Sequence, residues 1–281
     1  MPELNSSDRF RLSAHLGYLF QERPLAARFA AAREAGFRAI EIPNPYSLSL
    51  SEFQSLCEDN DLKVAQIALP NGSTTASKKG LAALPGREGE FEDALKRSID
   101  FAVAVNCTLI HPMSGMRTPL ERSPEWRVYL GNLEKACAAG ADKGLRVIIE
   151  AISTSGVPNY FMSSLTQSCA AIEQIGAPNL SLSIDTYHAA AMGVPLSSFI
   201  ASNSSRIAHV QLAEWPKRNE PGSGEFDFHA FLTALTIGGY KGYVGLEYEP
   251  SVEKGDRFEW IRSFDAHLEP LRVIDRPHAG S

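Results

Sequence analysis

The run Leu145-Arg-Val-Ile-Ile-Glu150 is apolar and β-branched until it ends on a carboxylate. Such a run is typical of a buried parallel strand whose last side chain reaches the open rim of a barrel or sheet, where ligands bind. Three later apolar runs also end on an oxygen-bearing side chain: Ser181-Leu-Ser-Ile-Asp185, Ile207-Ala-His-Val-Gln211 and Tyr243-Val-Gly-Leu-Glu247. The four strand ends therefore predict one shared site.

The spacing of these four residues predicts the fold. Successive members are 35, 26 and 36 residues apart, each close to the length of one βα unit in an eightfold barrel of roughly 250 residues. Short apolar strands alternate with helical patterns from Phe10 onward, and a last helix is expected from Arg257 to Val273. We therefore predict an α/β protein, a closed (β/α)8 TIM barrel in which residues 1–281 form a single domain. The tail, residues 275–281, is expected to be flexible.

Composition excludes several classes of protein. The formal net charge of −6, without a long Lys/Arg block, argues against a nucleic-acid surface. The N-terminus has no secretory pattern, and no stretch approaches roughly 18 apolar residues, so we expect a cytoplasmic protein without membrane contact. The four cysteines are far apart and are expected to be reduced thiols.

Three carboxylates and an amide brought together would repel one another unless a cation lay among them. Oxygen-only ligation favours one divalent cation, Mg²⁺ or Mn²⁺, over zinc. Glu150 and Glu247, from the fifth and eighth strands, could flank a chelated substrate, one removing a carbon-bound proton and the other delivering it. The cation would polarise the carbonyl and stabilise an enediolate, which is the chemistry of aldose-ketose isomerisation or epimerisation.

Several motifs along nearly the whole chain resemble one known family, the xylose isomerase-like barrels, and within it the hydroxypyruvate isomerase group, which includes 2-oxo-tetronate isomerases. They include Ser13-Ala-His-Leu-Gly-Tyr-Leu-Phe20, Gly80-Leu-Ala-Ala-Leu-Pro-Gly-Arg-Glu88, Asp185-Thr-Tyr-His188, His209-Val-Gln211 and Glu220-Pro-Gly-Ser-Gly-Glu225. The resemblance implies metal ligands at Glu150, Asp185, Gln211 and Glu247, and catalytic glutamates at Glu150 and Glu247. It also implies that His188 lies over the site and binds a substrate hydroxyl.

The chain departs from the family pattern beside the catalytic centre. Typical members continue after the first glutamate with Pro, Ile, Asn, Thr and an Arg-Asp pair, whereas this chain has Ala151 to Gly156, with Ser155 and Gly156 at its end. His15 replaces the usual Asn of the first strand. These changes preserve the metal ligands but alter which part of a substrate can be held.

Further candidates for substrate contact are basic or polar residues near the predicted strand ends. Arg218, in the loop after the seventh strand, could bind a carboxylate, and Arg87 could reach inward from the long loop over residues 70–86. His111 ends the fourth strand, and His15 lies in the first. His209 is expected to be a core histidine rather than a ligand, and Glu41 either orders a loop or lies near the site.

The leading hypothesis is a divalent-metal-dependent isomerase of a small hydroxy keto acid or ketose. A ketose 3-epimerase and a decarboxylase of a branched keto acid are alternatives, because the same enediolate can serve each. A barrel that binds a sugar acid without turnover is a further alternative, and a homo-oligomeric state is left open. Apurinic endonucleases belong to the same superfamily, but their trinuclear zinc sites need more ligands than seven scattered histidines supply.

Overall fold

The barrel predicted from the sequence is confirmed. The computed structural model describes residues 9–117, 123–251 and 257–270, and eight strands in these ranges form a closed parallel barrel in chain order. The strands are β1 (Leu12–His15), β2 (Ala39–Ile42), β3 (Lys63–Ala68), β4 (Leu109–His111), β5 (Arg146–Glu150), β6 (Leu180–Asp185), β7 (Ile207–Leu212) and β8 (Val244–Leu246). Pairing of Leu12 with Val244 and of Ala14 with Leu246 joins β1 to β8 and closes the barrel.

The helices surround the barrel, and several begin at capping residues visible in the sequence. They are α1 (Leu25–Glu34), α2 (Leu50–Asp59), α3 (Glu88–Ala104), α4 (Pro124–Ala141), α5 (Leu165–Ile175), α6 (Thr186–Ala191), α7 (Leu196–Asn203) and α8 (Phe228–Ile237). The Ser123 hydroxyl accepts a hydrogen bond from the Trp126 N–H at 3.2 Å, and Pro124 occupies the first turn of α4. Gly176, in the left-handed region at φ +65°, ends α5.

The expected strict alternation of strands and helices is wrong in two places. Two helices, α6 and α7, follow β6, because the Asp185 carboxylate caps α6 by accepting from the Tyr187 N–H at 2.8 Å. After β8 the expected α-helix over residues 257–273 is instead a 3₁₀ helix, Glu259–Phe264. The chain then leaves helical structure because Phe10 exchanges backbone hydrogen bonds with His267 and Glu269. Residues 271–273 and the predicted flexible tail lie outside the described residues.

Packing places the carboxyl ends of all eight strands at one end of the barrel. The layer between barrel and helices is apolar, and Phe29, Phe53 and Phe101 pack edge to face within it. All four cysteines are free thiols, as predicted. No helix in the described part of the chain is long and apolar enough to cross a membrane.

Candidate active site

The four oxygen-bearing side chains converge at the carboxyl end of the barrel. Glu150 and Asp185 are the last residues of β5 and β6, Gln211 lies in β7, and Glu247 directly follows β8. Parallel pairing of Asp185 with Gln211 aligns the neighbouring strand ends. Glu150, Gln211 and Glu247 line a cavity of about 500 Å³. The residues grouped by strand-end spacing therefore lie at the same end of the barrel, and their roles stay a prediction.

The glutamates of this cluster have raised pKa values. Burial, and then the negative charges of Glu247 and Asp185, raise the pKa of Glu150 well above its ordinary value. Burial also raises the pKa of Glu247, although His15 and Arg218 act in the opposite direction. Burial and the neighbouring carboxylates therefore disfavour full ionisation of this cluster.

Arg218 supplies part of the countercharge. Its Nη2 lies 2.8 Å from Asp185 Oδ2 and 2.5 Å from Glu247 Oε1. The guanidinium also stacks on two aromatic rings, 4.7 Å from the centroid of Tyr18 and 4.6 Å from that of Tyr187. The sequence predicted that this arginine would bind a carboxylate; in the structure it binds two carboxylates of the protein.

A polar network beneath the site orients Gln211. Its side-chain N–H groups donate to Glu41 Oε2, at 2.8 Å, and to Glu247 Oε2. The Glu41 carboxylate is fully buried; Ser13 Oγ donates to it at 2.5 Å, and His209 Nε2 lies 3.1 Å away. Burial raises the pKa of Glu41, but His209, His15 and Ser13 together lower it to about 2. An ionised Glu41 therefore holds the Gln211 amide nitrogen, so the amide oxygen is the atom left for a ligand.

His188 lies between the loops after β5 and β7. Its Nδ1 is 3.0 Å from Ser153 Oγ, and its Nε2 is 3.2 Å from Arg218 Nη1. Burial is the main reason that its pKa falls to about 4, so the ring is neutral near pH 7. A Cβ on Gly156 would lie only 2.7 Å from His188 Cε1, so the small residue of the altered loop gives this ring its space.

The other predicted contact residues differ in their placement. His15 and His111 both line the cavity; His15 Nε2 is 3.5 Å from Glu247 Oε2, and His111 Nδ1 is 3.8 Å from Glu150 Oε2. Arg87 is not among the lining residues, and its guanidinium pairs with Glu90. Contact of any of these three residues with a substrate stays a prediction.

Sequence reasoning missed two basic residues of the cavity. Lys78 and Lys79, in the loop between β3 and α3, both line it. A signal was present, because they are the only charged residues between Pro70 and Gly86, a segment already predicted to cover the strand ends.

The donor set fits a hard divalent cation. Carboxylate oxygens from β5, β6 and the end of β8, with an amide oxygen from β7, are ligands that Mg²⁺ and Mn²⁺ accept. Ligand atoms of Glu150, Asp185 and His188 lie within 4.8 Å of one another, and those of His15, Glu41 and Glu247 form a second such group. Burial, and then the charges of Glu247 and Asp185, raise the pKa of Glu150, and a bound cation would offset that repulsion.

Comparison with known sequences agrees with this geometry. The sequence model of xylose isomerase-like TIM barrels matches residues 29–264. The 2-oxo-tetronate isomerase of Cupriavidus necator is 32% identical over 255 residues, which cover 90% of this chain and 98% of the relative. The hydroxypyruvate isomerase of Escherichia coli is 31% identical over 253 residues, which cover 89% of this chain and 98% of the relative.

Solved structures show the same barrel. A structure described as an AP endonuclease, family 2, from Brucella melitensis has a TM-score of 0.86 at 30% identity, covering 91% of this chain and 99% of the other. The 3-keto-D-glucoside 4-epimerase of E. coli has a TM-score of 0.75 at 20% identity, covering 91% and 100%. At that identity the second likeness concerns the fold alone.

The fold is a (β/α)8 barrel, and an acidic site lies at the carboxyl ends of its strands. The chain belongs to the xylose isomerase-like TIM barrel family. The relatives from C. necator and E. coli are isomerases, and this chain is an isomerase of that family.

Proposed function

We propose that this chain is a divalent-metal-dependent isomerase of a small hydroxy keto acid, acting through an enediolate with Glu150 and Glu247 as the proton-transfer pair. The observation that carries the proposal is the convergence of buried Glu150 and part-buried Glu247, both with raised pKa values, at the ends of β5 and β8. The names of the relatives, 2-oxo-tetronate isomerase and hydroxypyruvate isomerase, support the substrate class.

Glu150 and Glu247 suit proton transfer because burial raises the pKa of both carboxyl groups above the ordinary value. A carboxyl group whose pKa approaches the working pH can both accept and return a proton, as an isomerisation requires. Each has a histidine neighbour, His111 beside Glu150 and His15 beside Glu247, within 3.8 Å. A cation held by Glu150, Asp185, Gln211 and Glu247 would supply Lewis-acid polarisation of the substrate carbonyl.

Arg218 and Gln211 hold Glu247 between them. The guanidinium fixes Glu247 Oε1 from one side, while Gln211 fixes Oε2 from the other. The neutral His188 ring, hydrogen-bonded to Ser153 and Arg218, is a suitable partner for a substrate hydroxyl. Water is limited within the site because most of these side chains are buried.

Epimerisation and decarboxylation need the same enediolate and remain the alternatives that the site chemistry supports. Ser155 and Gly156 replace an Arg-Asp pair beside the first glutamate, so the part of the substrate held there differs from that in typical members. DNA repair is disfavoured, because a chain with a net charge of −6 is poorly suited to bind a phosphate backbone.

The proposal is tested with Mn²⁺-loaded protein and a panel of keto acids and ketoses followed by NMR in D₂O. Isomerase, epimerase and decarboxylase reactions place deuterium and carbon differently. We expect Glu247→Gln to lose about 10³-fold or more in turnover, on the scale of general acid–base catalysis. Glu249→Gln, two residues away and exposed, is the matched control and should keep activity. Full turnover by Glu247→Gln would refute the mechanism.

A further inference from the structure

Some of the positively charged side chains that line the cavity have an ion-pair partner and others do not. Apart from histidines, its basic residues are Arg218, Lys78 and Lys79. Arg218 already contacts two carboxylates of the site. Within residues 9–117, 123–251 and 257–270, neither lysine takes part in an ion pair. The loop after β3 therefore presents positive charge that the protein leaves uncompensated.

The backbone of this loop is fixed rather than free. The Gly115 N–H donates to the Lys79 carbonyl at 3.0 Å, and the Met116 N–H donates to the Ala76 carbonyl at 2.8 Å. Gly80 has φ +113°, and a Cβ there would lie 2.0 Å from the Met113 carbonyl oxygen. Only glycine permits this close approach. The loop is thereby pinned to the segment after β4, and the lysines start from a defined position over the site.

Lys79 faces the same chamber as the catalytic groups. Lys79 and His188 both line the cavity, as do Glu150 and Glu247. His188 in turn touches Arg218 at 3.2 Å. A small ligand in this cavity that contacts the His188 ring therefore lies in the chamber that Lys79 also borders.

An anionic substrate needs such a group because the cavity floor is acidic. Glu150, Asp185 and Glu247 would repel a substrate carboxylate, and Arg218 is occupied by two of them. The loop after β5 offers only neutral Ser155 and Gly156. Among the residues that line the cavity, Lys78 and Lys79 in the loop after β3 are therefore the only lysines or arginines without an ion-pair partner. They are the cations left to bind a substrate carboxylate.

We propose that Lys79, assisted by Lys78, binds the carboxylate of the substrate and makes the site selective for small keto acids over neutral ketoses. This specificity rests on the proposed isomerase function but concerns binding rather than proton transfer. The ammonium group is compact and mobile, so it tolerates keto acids of different length. Arg218, by contrast, is paired with Asp185 and Glu247 of the site.

The test compares Lys79→Gln, Lys78→Gln and Lys79→Arg with wild type. Lys143→Gln is the control for the loss of one positive charge, because Lys143 lies between α4 and β5, at the other end of the barrel. Binding of pyruvate to the Mn²⁺-loaded proteins is measured by calorimetry, since pyruvate is a keto acid without the hydroxyl needed for isomerisation. KM and kcat are then measured for hydroxypyruvate and for a neutral ketose.

We expect Lys79→Gln to weaken pyruvate binding about 10- to 100-fold, as loss of a charge-assisted hydrogen bond predicts. KM for the keto acid should rise by a similar factor with little change in kcat, while constants for the ketose stay the same. Lys79→Arg should retain binding, Lys78→Gln should show a smaller loss, and Lys143→Gln should match wild type.

The two proposals fail in distinguishable ways. If wild type binds pyruvate through Lys79 but turns over no keto acid, the isomerase proposal fails and the carboxylate subsite stands. If turnover is present but Lys79→Gln binds pyruvate as tightly as wild type, or loses affinity no more than Lys143→Gln, the subsite is refuted. Absence of pyruvate binding by wild type also refutes it.

Discussion

Replacement of Glu41 by leucine should destabilise the barrel and loosen the metal site together. The carboxylate has no exposed surface and has four polar neighbours: Ser13 Oγ at 2.5 Å, Gln211 Nε2 at 2.8 Å, His209 Nε2 at 3.1 Å and Gln66 Nε2 at 3.3 Å. Leucine fills the space but accepts no hydrogen bond. Buried Ser13 then loses its hydrogen-bond acceptor and buried His209 its ion-pair partner, whereas Gln211 can turn toward the cavity.

Two buried polar groups left unsatisfied cost about 1–3 kcal/mol each, so we expect a loss of about 4 kcal/mol in the free energy of unfolding. For a chain of this size that corresponds to a fall in Tm of about 8–16 °C. Urea unfolding and thermal melting of the metal-free protein measure this change. Because the Gln211 amide loses the acceptor that orients it, Mn²⁺ affinity should fall about 10- to 100-fold.

Gln66→Leu is the matched control for this experiment. It removes only the 3.3 Å contact to Glu41, and it also removes Gln66 Oε1, a buried atom without a hydrogen-bond partner among the described residues. We expect a cost of about 1 kcal/mol or less. A Glu41→Leu variant within about 1 kcal/mol of wild type, or one with unchanged Mn²⁺ affinity, would refute the positioning role.

Two further predictions concern the metal site and the loop after β5. Because burial and neighbouring carboxylates raise the pKa of Glu150, the metal-free site binds a proton that a cation must displace. Mn²⁺ affinity should therefore increase as the pH rises above the ordinary pKa of a carboxyl group, and an affinity independent of pH there would contradict this linkage. Gly156→Ala introduces a Cβ 2.7 Å from His188 Cε1 and should lower kcat/KM about 10- to 100-fold with little change in Tm. Unchanged kinetics in this variant would mean that the position of His188 is unimportant for turnover.

The position of the site was predictable because it depends on a short-range rule repeated along the chain. Each βα unit ends its strand at the same rim, so Glu150, Asp185, Gln211 and Glu247 could be grouped from spacing alone. The two errors in the helices arise from local effects that periodicity does not encode. Capping by Asp185 starts an extra helix, and burial of Ile261 and Phe264 at a separation of three suits a 3₁₀ turn.

The remaining features of the site depend on contacts between residues distant in sequence. Glu41 faces the interior of the barrel because His209 and Gln211 lie there, and the Glu41–Gln211 hydrogen bond spans 170 positions. Arg218 was visible as a basic loop residue, but its backbone at φ +57° and its two ring contacts are tertiary properties. For these reasons the sequence indicated a carboxylate partner for Arg218 without revealing that the partner belongs to the protein itself.

Because β1 pairs with β8, the barrel cannot close until the last strand of a newly made chain has been synthesised. His15 belongs to the first strand, and Glu247 follows the last, yet the two lie 3.5 Å apart. At about 5–20 residues per second, translation separates their appearance by roughly 10–50 s. During that interval Leu12 and Ala14 present an unpaired strand edge, and no acidic cluster exists. A chain released before Glu247 is made therefore lacks the acidic cluster and exposes a strand edge of β1, and such an edge favours aggregation.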